Sequence, residues 1–203
     1  MVSSEENKST QKPEEENRNI NSTKLFIGLL LSPTLGWRNL RNSKVLPSTF
    51  EQQTFYPILA ITAVCSFLTL IYEPTTPIAR ILQNAIAAFV SIFAAYFAAI
   101  GCAKTVLPPE ASKKASTCFF RVFIAASMAT LDTGYMLSII APQLRILFWL
   151  GLIYTLYIVC KGVKYLHVPE NERLATSVIC CLLVCALPAV IFAVFTMIMP
   201  GVE

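Results

Sequence analysis

Histidine is almost missing from this chain, and that scarcity removes several chemistries at once. A serine or cysteine nucleophile needs a base to take its proton, and His167, the one histidine, sits alone at the edge of a polar stretch. No Ser-His-Asp or Cys-His pairing can be assembled from it. There is also no HExxH, no Walker loop and no GxGxxG. CxxC pairs are lacking too. Cys65, Cys102, Cys118, Cys160, Cys180, Cys181 and Cys185 all lie in or at the ends of apolar blocks, where a thiol reads as a small apolar packing residue rather than a zinc ligand. Cys102, Cys118 and Cys160 fall near expected cytoplasmic interfaces, where acylation is chemically open. The expectation is a chain with no catalytic, metal or cofactor site, in which His167 is a solvated loop residue.

Charge is the second scarcity. Charged residues make up 14% of the 203 positions against 55% hydrophobic, with a mean hydropathy of +0.61, too little polar surface to cover a soluble domain. The net charge of +4 does not point to nucleic acid, because the cations sit at the ends of apolar blocks, where they meet lipid headgroups. The expected fold is therefore all-α: a polytopic membrane protein of five transmembrane helices with an N-terminal interfacial helix. Its one firm partner is the lipid bilayer.

Residues 1–23 are rich in Glu, Asn, Ser and Lys and read as a disordered cytoplasmic tail, with no cleavable signal peptide expected. The apolar run 24–31 is far shorter than the roughly 20 residues needed to cross hydrocarbon, and Ser32-Pro33 interrupts it. With Trp37 beside Arg38, Arg41 and Lys44, the segment 24–46 is expected to lie along the headgroups as an amphipathic element. The membrane domain, 47–203, has expected spans at about 49–72, 78–107, 118–140, 144–163 and 175–199. Ser48-Thr49-Phe50-Glu51 has the spacing of a capping box for the first span, and Ser116 or Thr117 can cap the third. Pro188 predicts a kink in the fifth.

Two patterns stand out within the spans. In the second, Ala87, Ser91, Ala95, Ala99 and Ala103 recur every four residues, a small-residue face that lets helix backbones approach closely. This places the second span at the centre of the bundle, with an oligomeric interface as the alternative. In the third, Asp132 is an ionisable group deep in a span and a functional hypothesis by default. It shares a helical stripe with Arg121, Ala125, Met128 and Tyr135, expected to face the interior. Arg121 is about 16 Å away along the helix, too far to pair directly, so a partner must come from another helix, with Arg145 nearest in depth. Neighbouring hydroxyls, or water near the outer interface, are the structural alternative.

Fourteen of the 16 cations fall on one side of five spans, leaving only Arg80 and Arg145 on the other, so the N-terminus is expected in the cytoplasm and the C-terminus outside.

The chain resembles the Ypt-interacting-protein family, the YIP-domain membrane proteins, and specifically their bacterial branch. The residues that carry this are Leu31-Ser32-Pro33 with Trp37 soon after, and Phe55-Tyr56-Pro57 in the first span. Downstream come Pro142-Gln143-Leu144, Tyr154-Thr155-Leu156-Tyr157, Gly162 and Val168-Pro169-Glu170. The resemblance implies a five-helix membrane domain with a cytoplasmic N-terminus. Eukaryotic relatives are adaptors in vesicle traffic that engage small GTPases through their N-terminal region. The tail 1–23 shows no matching acidic-proline motif, so GTPase binding is not implied here. Two functions remain open on the residues: a non-enzymatic interaction or scaffold protein that assembles with other membrane proteins or as a homo-oligomer, and a transporter or channel for a small solute, ion or lipid using Asp132.

Overall fold

A computed structural model describes residues 21–107, 114–141 and 146–198. Among these there is no strand. Seven helices follow in order: α1 (Ser22–Leu31), α2 (Pro33–Asn42), α3 (Pro47–Tyr72), α4 (Ile78–Gly101), α5 (Lys114–Ile140), α6 (Ile146–Val163) and α7 (Arg173–Ile198). The last five are long and apolar enough to cross a membrane, as expected from the hydrophobic blocks. Most of the tail, along with Pro142 and Arg145, lies outside the described residues.

Local chemistry moves several helix ends. Pro47 occupies the first turn of α3, where a missing N–H costs nothing, and Leu46 is the cap residue. Ser48 is therefore already inside the helix, the expected capping box does not form, and Glu51 is free for another use. Similarly, α5 runs from Lys114, so Thr117 lies inside the helix rather than at its cap position. At the other end of the chain's first helix, Asn21 caps α1 by accepting from the Lys24 amide, which starts helix two residues inside the stretch assigned to the tail.

Pro57 and Pro188 sit inside spans, and each follows a π-turn, Glu51–Phe55 and Leu182–Ala186. Proline removes the N–H that would bond the carbonyl four residues back. For Pro57 that carbonyl belongs to Gln53. It is satisfied from α1, where Thr23 Oγ1 donates to Gln53 O at 3.1 Å, while the Ser22 amide donates to Gln53 Oε1 at 3.2 Å. Lipid offers no such partner, so the protein supplies one. At Pro188 the anticipated disturbance takes the form of the widened turn before it.

The bundle is centred on α5 rather than α4. In the most apolar 18-residue stretch of each span, 56% of the residues are buried in α5, 44% in α4 and only 17% in α7. The reason is visible in the side chains. On α4 the small residues occupy one face, while Ile78, Leu82, Ile86, Phe89, Phe93 and Phe97 make an exposed face suited to lipid. On α5, Ala125, Ala126, Ser127 and Ala129 turn small surfaces in several directions, so neighbours can close on it from all sides.

The segment 24–46 also packs against the bundle. Trp37 is 0% exposed, donating from Nε1 to the Ile158 carbonyl at 2.9 Å and lying against Phe119 and Phe123. An indole can be fully buried once its N–H has a partner. The recess exists because Gly162 has no side chain: a Cβ there would come within 2.7 Å of Trp37 Cε2 and 2.5 Å of Phe123 Cε2. Further bonds tie this hairpin to α6 and the loop beyond it: Tyr154 to the Leu30 carbonyl, Tyr165 to the Thr34 carbonyl at 3.1 Å, and Arg41 to the Tyr165 carbonyl and His167. Ile27, Leu31 and Leu35 remain exposed as the hairpin's apolar outer edge.

Candidate functional site

Two polar clusters lie within the spans. The first is near the end that carries α1 and α2. There Glu51, displaced from capping, is 6% exposed and holds two donors on one oxygen: Tyr96 Oη at 2.5 Å and Arg121 Nη2 at 2.7 Å. Helices α3, α4 and α5 are thereby tied together. Arg121 keeps part of its side chain exposed at 39%, though its Nε is buried with no hydrogen-bond partner among the described residues, while Glu51 beside it is buried. The sequence reading missed Glu51 as a partner. The available signal was depth: it is the sole carboxylate inside the first span, about as far from its helix start as Arg121 is from the start of the third span.

The second cluster is built on Asp132, which is 1% exposed, and Ala125 and Met128 on the same stripe are buried with it, as expected. Its Oδ2 accepts from Thr62 Oγ1 of α3 at 3.0 Å, whereas Oδ1 is buried with no hydrogen-bond partner among the described residues. The Thr62 hydroxyl has a second acceptor, the Ile58 carbonyl at 3.1 Å, and Ser66 donates to the Thr62 carbonyl at 3.2 Å. A cavity of about 260 Å³ begins at Ser66 and is lined by Thr69, Glu73, Thr76, Arg80, Asn84 and Tyr135, at the end opposite α1 and α2. Asp132 is not among its lining residues. Arg121 and Asp132 are thus held by different partners, and Arg145, the partner expected from depth, lies outside the described residues.

The packing face of α4 is consumed inside the chain. Ala87, Ser91, Ala95 and Ala99 are each 3% exposed or less on a helix packed by α3, α5 and α7, and Ala103, just past its end in the short turn of helix Ala103–Val106, is 4% exposed. A further close approach was not anticipated: a Cβ on Gly134 of α5 would lie 3.2 Å from the Gly151 Cα of α6. Cys102, Cys118 and Cys160 are exposed free thiols, and His167 is an exposed loop residue with a left-handed backbone, φ 58°.

Comparison with protein-family models finds no match to the chain, and comparisons with curated proteins and with solved structures find none either.

Proposed function

We propose that the chain is a non-enzymatic interaction or scaffold protein of the bacterial inner membrane, belonging to the bacterial branch of the YIP-domain proteins. Its helices assemble with partner membrane proteins or with copies of the same chain. The N-terminus is cytoplasmic and the C-terminus outside, a reading supported by the fourteen-to-two distribution of cations.

The observation that carries the scaffold reading is the packing of the central helix. Between the Arg121 pair and Asp132, the residues Val122, Phe123, Ile124, Ala125, Ala126, Ser127, Met128 and Ala129 of α5 are each 2% exposed or less. A solute following α5 across the membrane meets closely packed side chains there instead of a water-lined wall. Arg121 is engaged in tying helices, which further favours architecture over conduction.

Transport is kept as a second reading by one specific observation, the unpartnered Oδ1 of Asp132, whose donor Thr62 is one helical turn from Ser66, where a cavity with a partly polar lining begins. Proton, sodium and potassium flux in vesicles reconstituted with wild-type protein and with Asp132→Asn separates the two. The amide keeps an oxygen for Thr62 to donate to, so the variant should fold as wild type does. The scaffold reading expects flux from both proteins no greater than through protein-free vesicles. Flux in wild type that disappears in Asp132→Asn at equal stability would replace it with the transport reading.

A further inference from the structure

We propose that the groove between α6 and α7 binds an anionic phospholipid, with an acyl chain along its apolar wall and the phosphate between Lys164 and Arg173. The groove has a volume of about 630 Å³, and its wall is formed chiefly by Leu156, Val163, Leu174, Val178 and Leu182. That size falls within the roughly 300 to 1,000 Å³ of small-molecule sites. Its two cations are gathered at one end, the end of the bundle that carries α1 and α2, while Cys185 and Ala186 mark the other end. From Arg173 to Cys185 is twelve residues of helix, about 18 Å. One leaflet of hydrocarbon is about 15 Å deep, so the groove matches an acyl chain hanging from a headgroup at the rim.

The rim is prepared for a phosphate. Arg173 Nη1 pairs with Glu170 Oε1 at 2.9 Å, but Glu170 is 86% exposed and occupies only that nitrogen, and Arg173 Nε is buried with no partner. Lys164 is exposed beside it. Helix α7 begins at Arg173 with no acidic residue in its first turn and no side-chain cap from Glu172, so its first amides add positive potential at the same place. The carboxylates nearby in sequence, Glu170 and Glu172, are both exposed on the loop. An apolar helix from another protein would cover the wall but strand the cations. A lipid with a net negative headgroup satisfies both ends.

Native mass spectrometry tests this on the full chain in detergent, offered equal amounts of phosphatidylglycerol and phosphatidylcholine with the same palmitoyl-oleoyl chains. The wild type should retain phosphatidylglycerol with roughly tenfold preference, as expected for two cations at a headgroup. Lys164→Gln with Arg173→Gln should bring the two lipids near parity with little change in thermal stability, since Lys164 is exposed and Arg173 gives up only an ion pair to the exposed Glu170 and a buried Nε that has no partner. Ser177→Trp, which fills the lining midway, should lower retention of both lipids. Equal retention by the wild type, or a preference that survives loss of both cations, overturns the proposal. Displacement of the lipid by millimolar glycerol phosphate would reduce the site to a free-phosphate rim. Recovery of a lipid-free dimer would give the groove to a second copy, and either result also overturns it.

Discussion

Arg121 Nη2 lies 2.7 Å from Glu51 Oε1, joining α5 to α3, and Tyr96 of α4 donates to the same oxygen at 2.5 Å. The two charges are unequally placed, with side-chain exposures of 39% for Arg121 and 8% for Glu51. The arginine keeps an exposed part of its side chain if its partner is lost. The buried carboxylate is left with the neutral phenols of Tyr96 and Tyr56 beside it.

That asymmetry predicts unequal consequences. Glu51→Gln keeps an acceptor for Tyr96 and leaves Arg121 half-exposed, so it should destabilise by about 1 kcal/mol. Arg121→Met strands a buried carboxylate and should cost more, about 2 to 3 kcal/mol, with the double variant recovering part of the loss. Unfolding in detergent followed by circular dichroism checks the order. An Arg121→Met protein as stable as wild type would show that the pair contributes nothing to holding the three helices.

Ala95 and Ala99 are both 0% exposed on the face of α4 that packs inside the chain. Replacing either by Leu should destabilise by about 1 to 3 kcal/mol through overpacking. Because that face is consumed within one chain, the same substitutions should leave any self-association of the folded protein unchanged. Loss of a dimer at preserved thermal stability, by light scattering in detergent, would return the small-residue stripe to an interface between copies.

How much of this was legible in the sequence depends on the signal each residue sends. The five spans follow from block length alone, and the buried stripe of Ala125, Met128 and Asp132 follows from helical spacing. The centre of the bundle did not, because a period-four stripe on α4 is easier to see than the unpatterned small residues of α5. The burial of Trp37 was not legible for a physical reason: indole is at home both at a lipid interface and in a core that offers its N–H an acceptor, and the accepting carbonyl belongs to Ile158, 121 residues away. Glu51 misled because Ser48 and Glu51 have capping-box spacing, whereas Pro47 starts the helix two positions too early to use it. Asp132 was identifiable as a buried carboxyl, but spans carry many hydroxyls, and spacing could not select Thr62 among them.

The sharpest prediction concerns Gly162 and Trp37. A methyl group at residue 162 would meet Trp37 Cε2 at 2.7 Å and Phe123 Cε2 at 2.5 Å, and rings cannot yield as a flexible side chain end can. Trp37 is further held by its bond to the Ile158 carbonyl and by its contacts with Phe119 and Phe123. Gly162→Ala should therefore displace the α1–α2 hairpin from α6 and destabilise the protein by about 1 to 3 kcal/mol. The chain has two tryptophans, and Trp149 is 61% exposed, so Trp149→Phe leaves Trp37 as a reporter of its own site. In that background Trp37 emission should be blue and poorly quenched by acrylamide, and Gly162→Ala should shift it red and open it to quencher. Trp37→Phe, which removes part of the obstructing ring system, should recover some of the stability lost in Gly162→Ala. An unchanged emission spectrum together with wild-type stability in Gly162→Ala would mean that Trp37 does not occupy this recess, and that the hairpin lies away from α6 along the membrane surface.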